Sequence, residues 1–406
     1  MTQCQQQTTT AAAAGDSFKF SDLRITNTQD PQPQRAWQEL RFGHHFTDHM
    51  FIAEHCVEEG WGQPEIRPMG FISLHPAAQV LHYGMCCFEG MKAYAGADGR
   101  GRLFRPARNM ERLRRSMQRL LLADFEPDEL LQCLKALLRI DRPWQPEAPG
   151  YSMYALLRVD RPWLPEAPSY SMYVRPMAFS STGSLGITAP SRTTLMILLS
   201  PAGPYFGTGL RPVQLFVDEV NVRAWPGGAG DQKIGSNYAP TITPLVDAFQ
   251  RHGAAQVVCT LPQGPDPDAA LFSESGGMNI MFFMDKASGG GQELVTAPLD
   301  GTILPGITRA SILELARGWG DFDVSERPIS IREVQQAVRE GRLREVFGCG
   351  TACMVQPVDR LLRESGEAFD TPFDAEDPNT LTARLTRTLG DIQYGRVAHE
   401  WSVPFE

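Results

Sequence analysis

The segment Gly227-Gly228-Ala229-Gly230-Asp231-Gln232-Lys233-Ile234-Gly235-Ser236-Asn237-Tyr238 carries one lysine among glycines and small residues. Glycine lets a backbone come close to a ligand and adopt positive φ. A lysine crowded into such a setting can lose its proton near neutral pH and attack a carbonyl as a Schiff-base nucleophile. The order of residues is not that of a phosphate-binding P-loop, since G-x-x-x-x-G-K-[ST] is absent. Taken alone, a glycine-rich loop with a solvent-facing lysine is the plainer reading. Lys92 is a second amine, but it follows a turn and leads into a strand, which marks it as structural. His44, His45 and His49 lie close in sequence, yet no carboxylate or cysteine joins them at ligand spacing, so no metal is expected.

The other chemistry-bearing residues sit at the ends of elements. Asn109 is expected to cap a helix over 110–122, which puts Arg112 in its first turn. A cation there opposes the helix dipole unless an anion binds between the two. Ile307 and Thr308 follow Gly306 where another helix begins, so their free amides form a ready anion site. Glu274 ends a strand just before Gly276 and Gly277, where a lone carboxylate is commonly a turn residue. Thr351 and Ala352 follow the run Glu345-Val-Phe-Gly-Cys-Gly350.

These residues need a large scaffold, and 406 residues suffice for two or three domains. A net charge of −9 argues against a general nucleic-acid binder. No apolar run is long enough to span a bilayer. Eight scattered cysteines form no disulfide framework, which suits a reducing compartment. Residues 1–17 lack a signal-peptide core and read as a disordered tail. A cytoplasmic location is expected, with mitochondrial import left open. A small α+β domain over 18–200 is expected to join a larger one over 213–406 through the Pro/Gly-rich linker 201–212. A helix follows Pro127 with Leu130, Leu131, Leu134, Leu137 and Leu138 on one face. Leu185-Gly-Ile187 reads as a strand, and Ser330-x-x-Glu333 as a capping box.

Residues 136–154 and 155–173 are adjacent 19-residue copies that differ at three positions. Two copies do not make a solenoid. Only the second continues into Val174-Arg175-Pro176, so Tyr173 and Arg175 are expected at the site. The first copy is expected to bulge out or to displace the preceding helix.

Several of these stretches together resemble the branched-chain amino acid aminotransferases, class IV enzymes dependent on pyridoxal 5′-phosphate. The matching residues are Phe46-Thr-Asp-His-Met50, His82-Tyr-Gly with Phe88-Glu-Gly-Met-Lys-Ala-Tyr94, Asn109-Met-Glu-Arg112, the lysine loop, Glu274, Gly306-Ile-Thr308 and Gly350-Thr-Ala352. They are collinear from about residue 18 to 400. The resemblance implies a two-domain α+β fold, with a small α/β domain and a larger pseudo-barrel domain. It implies Lys233 as the catalytic lysine. Arg112, Tyr238, Glu274, Ile307, Thr308 and Thr351 would hold the cofactor. Phe46, Tyr83, Phe88, Tyr173, Arg175, Tyr205 and Ala352 would bind amino acid and 2-oxo acid substrates. Leucine, isoleucine, valine and 2-oxoglutarate are the substrates it implies, and a homodimer the assembly. Ser236 replaces a usual glycine, and Gly277 a usual threonine. Gln356 stands where some animal relatives complete a redox CxxC with a residue like Cys353. A paralogue with another substrate, a D-amino acid transaminase, a pyridoxal-phosphate lyase and an inactive dimeric scaffold are the competing readings.

Overall fold

Alternating apolar residues build an antiparallel sheet from the first half of the chain. The computed structural model describes residues 17–33, 39–144, 170–203 and 211–406. The first strands are β1 (Arg24–Ile25), β2 (His49–Cys56), β3 (Gly60–Trp61), β4 (Glu65–Pro68), β5 (Cys86–Phe88), β6 (Met91–Ala95), β7 (Gly101–Phe104), β8 (Ser171–Ser180) and β9 (Arg192–Ala202). They run in the order β1-β4-β2-β9-β8-β6-β7, with β3 beside β2 and β5 beside β8. A short helix, α1 (Gln79–Tyr83), precedes β5, and two longer ones, α2 (Pro106–Arg119) and α3 (Pro127–Ile140), supply apolar faces. Met110, Leu113 and Met117 of α2 and Leu130, Leu134 and Leu137 of α3 are buried in one cluster with Phe51, Val174, Leu195 and Leu199. The spacing of those residues puts them on one helix stripe, and burying that stripe drives the packing.

Helix α2 starts earlier than its sequence suggests. Pro106 takes its first turn after Arg105, which adopts φ 49°. Asn109 is therefore inside the helix and does not cap it, and Arg112 lies in the second turn. The Asn109 amide is instead engaged by Glu89 Oε2 at 2.7 Å and the Gly90 carbonyl at 3.1 Å. The 185–187 segment is no strand: Leu185 and Ile187 are exposed in an irregular loop, held by the Gln79 amide on the carbonyls of Gly186 and Thr188.

Ala136 to Trp144, the described part of the first repeat copy, are integrated into the fold and do not displace α3; the rest of that copy, where the excursion is expected, lies outside the described residues. Ala136 to Ile140 finish α3. Asp141 is buried and accepts from His49 Nδ1 at 2.7 Å and from the His49 amide. Trp144 Nε1 donates to Asp48 Oδ2 at 2.8 Å. His49 Nε2 accepts from the Thr28 amide, so the ring proton lies on Nδ1 and the ring is committed to structure. The end of the second copy, Ser171 to Tyr173, opens β8. Residues 145–169, the rest of both copies, lie outside the described residues, as do 1–16 of the expected tail.

The second half contains β10 (Val213–Asp218), β11 (Gln256–Leu261), β12 (Leu271–Ser275), β13 (Met278–Asp285), β14 (Gln292–Thr296), β15 (Asp323–Glu326), β16 (Leu343–Gly350), β17 (Met354–Arg363) and β18 (Ala368–Asp370). The path β12-β11-β10-β17-β16-β13 returns to β12, so six strands close into a barrel. Phe272, Ile280, Phe282, Val346, Val358, Leu215 and Val258 bring apolar side chains from all six into one cluster. Helices α4 (Ile242–His252), α5 (Ile307–Trp319), α6 (Ile331–Arg339) and α7 (Leu381–Gln393) surround it. Ser330 Oγ accepts from the Glu333 amide and caps α6, and Gly253 at φ 65° closes α4. A last strand, β19 (Ser402–Pro404), leaves this half and pairs with β7 in the first sheet.

Candidate active site

The lysine loop runs between the two halves and is fastened to the first. The Lys233 amide donates to Ser116 Oγ of α2 at 3.0 Å, and its carbonyl accepts from the Phe88 amide at 3.0 Å. Asn237 Nδ2 closes the loop on the carbonyls of Ala229 and Gln232. Two of its glycines are required by the protein itself. A Cβ on Gly230 would lie 2.6 Å from the Ala224 Cβ and 2.7 Å from the Thr302 carbonyl, and one on Gly235 would lie 2.6 Å from Cys86 Sγ.

The half-buried Lys233 side chain does not reach into open solvent. Nζ donates to the Tyr238 hydroxyl at 3.0 Å and lies 4.9 Å from the Phe88 ring centre. The Arg175 guanidinium stands 4.7 Å from the same ring and donates to the Tyr173 hydroxyl at 3.0 Å. Arg175 Nε is buried with no partner among the described residues. Five expected residues, Lys233, Tyr238, Phe88, Arg175 and Tyr173, thus form one contact chain.

Glu274 is buried at the end of β12. One oxygen accepts from Asn279 and the Leu304 amide, and the other pairs with Arg223 at 2.9 Å. Burial pushes its carboxyl above the usual range, although Arg223, the Leu304 amide, Lys233 and Arg112 all pull it down. Arg112 is also buried. Its Nε and Nη2 grip Glu89 at 2.6 and 2.9 Å, and Nη1 donates to the Pro305 carbonyl at 3.0 Å. Burial works against the Arg112 charge, but Glu89 more than offsets it and holds the guanidinium above its ordinary value. Burial raises the Glu89 carboxyl too, and the Arg112 charge and hydrogen bonds outweigh it, leaving it low.

Pro305 leads into α5, where Ile307 and Thr308 are buried in a first turn without a side-chain cap. Thr351 and Ala352 form the turn between β16 and β17. Thr308, Thr351, Ile307 and Asn109 line one narrow cleft. The uncapped amides, the threonine hydroxyls and a guanidinium beside them suit a phosphate. A buried carboxylate suits a protonated ring nitrogen, and a lysine beside a phenol suits an aldehyde with a neighbouring hydroxyl. The donor set therefore fits pyridoxal phosphate.

Other expected residues lie elsewhere. Phe46 is exposed. Tyr83 is exposed too, with its hydroxyl on the Leu185 carbonyl and Leu81, Leu185 and Ile187 also on the surface. Neither touches the Lys233 chain among the described contacts. Tyr205 lies outside the described residues. Three residues that the sequence reading passed over belong to the site. Glu89 sits inside the Phe88–Tyr94 stretch, where its apolar flanks were the signal of a buried carboxylate. Arg223, between Val222 and Ala224, carried the same signal for a buried cation. Phe42 packs on Tyr173 at 4.6 Å, and nothing in its sequence context pointed there.

The chain matches the family model described as Amino-transferase class IV over residues 86–361. It is 45% identical over 394 residues to "Branched-chain-amino-acid aminotransferase, mitochondrial" of Bos taurus, covering 96% of this chain and 93% of that one. It is 40% identical to the cytosolic enzyme of that name from Mus musculus, covering 96% and 94%. The crystal structure of the Escherichia coli branched-chain amino acid aminotransferase is similar at a TM-score of 0.65 and 23% identity, over 88% of this chain and 99% of that one. A lysine, a buried carboxylate and an anion cradle brought together from distant parts of such a fold have one explanation: the chain belongs to the branched-chain-amino-acid aminotransferase family of class IV aminotransferases.

Proposed function

We propose that the protein exchanges the amino group between L-leucine, L-isoleucine or L-valine and 2-oxoglutarate, with pyridoxal 5′-phosphate as cofactor and as a homodimer. The observation that carries this is Lys233 Nζ, 3.0 Å from the Tyr238 hydroxyl and within the field of Glu274. When bound, the cofactor supplies an electron-accepting ring. Lys233 Nζ would be the amine that holds it and the base that moves a proton at the substrate Cα; such a positioned base contributes roughly 10²–10⁴-fold. Glu274, steadied by Arg223, would hold the ring nitrogen and favour its protonated form. Arg112, the Ile307 and Thr308 amides and Thr351 would hold the phosphate, and Tyr238 the ring oxygen. Donor and acceptor use one site in turn, which gives ping-pong kinetics.

Phe88, Tyr173 and Arg175 border the substrate space beside Lys233, and the turn at Ala352 offers an amide to the carboxylate. Tyr83, Leu81, Leu185, Ile187 and the fully exposed Phe71 form an apolar surface suited to a second copy. Tyr83 and Phe46 would then border the substrate pocket of that assembly. One methylene alters selection by only about 1–3 kcal/mol, so the three branched substrates should all be accepted. The seven cysteines among the described residues are free, in keeping with a reducing cytosol or mitochondrial matrix.

Visible absorption tests the reading. The purified protein with cofactor should show a band that shifts on adding L-leucine, and Lys233→Ala should lose both the band and turnover. A protein without the band is the inactive scaffold. Turnover retained by Lys233→Ala would reject the assignment. A keto-acid panel with glutamate as donor then sets the substrate range.

A further inference from the structure

The cation that faces the phosphate cradle is already spoken for. Arg112 is bound through two nitrogens to Glu89, so the pair brings little net charge to the cleft at the α5 N-terminus. A phosphate monoester carries about −1.5 to −2 charges near neutrality. The helix end offers only about +0.5.

Lys92 lines the same cleft. It stands on β6, and its ammonium is buried, with 3% exposure. Nζ donates to the Ala352 carbonyl at 2.7 Å and makes no other hydrogen bond among the described contacts. An ammonium has three donors, so two remain. Gln393 of α7 also lines the cleft, and its Oε1 is buried without a partner among the described residues. The spare donors of Lys92 and the uncapped amides at the start of α5 line one cleft as donors that no described protein atom satisfies, which is what an anion needs; the Gln393 oxygen, an acceptor, suits a water there and not the anion.

We propose that Lys92 is the charge-balancing residue of the phosphate cleft, and that an entering dianion draws a proton from solvent onto its Nζ. The inference rests on the cofactor-site assignment above. Burial pushes the Lys92 ammonium down to about 8, so in the ligand-free chain near that pH it is only partly charged. The titratable groups around it do little to restore the charge. The Cys353 thiol, across the turn, is raised to about 12 by burial and is neutral. Burial and Tyr394 raise Tyr94, two residues along β6. Tyr173 is its partner on β8, and Glu89 is engaged by Arg112. A dianion in the cleft is the missing counter-charge. It raises the lysine's affinity for protons, and by linkage protonation strengthens anion binding.

Sulfate is a suitable probe, because its charge does not change near neutrality. The full-length chain, freed of cofactor, is titrated with sulfate by calorimetry in buffers of different ionisation enthalpy. Excess pyridoxal phosphate should abolish the sulfate heat. Uptake of roughly half a proton is expected at pH 8 and little at pH 6.5, where Lys92 is already charged. Lys92→Arg should bind sulfate within a few-fold of wild type with no linked proton. Lys92→Met should bind it at least ten-fold more weakly, also with none. Uptake that survives in Lys92→Arg overturns the proposal, as does Lys92→Met binding as tightly as wild type. Lys92→Arg keeps the test decisive should the methionine variant fail to fold. If pyridoxal phosphate gives no visible band with the wild-type chain, the cofactor reading itself falls, and this inference with it. If the band forms but sulfate does not bind or no proton is taken up, only the role of Lys92 is wrong.

Discussion

Glu274 is held between two opposing forces. Its burial favours the neutral acid, while Arg223 at 2.9 Å favours the carboxylate, and burial wins in the ligand-free chain. A carboxyl raised by folding binds its proton more tightly in the folded state than in the unfolded one. Its stabilising contribution is then complete below the unfolded value, about 4.3, and is lost as pH rises through the raised folded value. Cofactor-free wild type should therefore lose stability relative to Glu274→Gln as pH climbs above about 4.3. Urea midpoints of both proteins at several pH values measure this, and parallel curves would contradict it. Arg223→Leu leaves the carboxylate buried and unpaired, and should cost about 3–5 kcal/mol near pH 7. On the proposed cofactor reading, bound cofactor should shrink the pH effect, because a protonated ring nitrogen at Glu274 would add a second positive partner to Arg223.

At the scale of elements, α2 carries most of the first half's contribution: Asn109, Arg112 and Ser116 all project from it. Its C-terminus closes with the Leu122 amide on the Met117 carbonyl and the Leu121 amide on the Gln118 carbonyl. That is a Schellman motif whose left-handed position, normally glycine, is Leu121 at φ 55°. Leu121 is exposed, so its side chain recovers little of the strain. Leu121→Gly should stabilise the protein by about 1 kcal/mol, read as a higher denaturant midpoint with an unchanged slope. The helix was legible from the spacing of Met110, Leu113 and Met117; its start was not, because Asn109 has the chemistry of a cap while a buried carboxylate far from the helix start claims its amide. The same limit governs the site. Motif order singled out Lys233, Arg112 and Glu274 as candidates. The partners that fix their charge, Glu89 and Arg223, are set by tertiary proximity, and no local pattern encodes it. Leu185-Gly-Ile187 looked like a strand because its apolar residues alternate, but they face outward.

The lysine loop on α2 and β5 and the strand β19 on β7 both tie the second half to the first, beside side-chain contacts such as Arg112 on Pro305 and Lys92 on Ala352. The duplication interrupts neither tie. Its first copy supplies Asp141 and Trp144, which lock onto His49 and Asp48, and its second supplies Tyr173, which opens toward Arg175. Because the copies are nearly identical, removing residues 150–168 leaves one complete 19-residue unit with both anchors at its ends. The described contacts that position Lys233, Arg112 and Glu274 are all made by residues that the deletion keeps. Shortening the chain between two fixed anchors changes closure entropy by only about 1 kcal/mol. The deletion variant should therefore fold with a melting temperature within a few degrees of the full-length protein, bind pyridoxal phosphate with the same visible band and retain turnover of L-leucine. Loss of the band, with the fold intact by circular dichroism, would mean that the extra unit shapes the site; loss of the fold would mean that it has become part of the core.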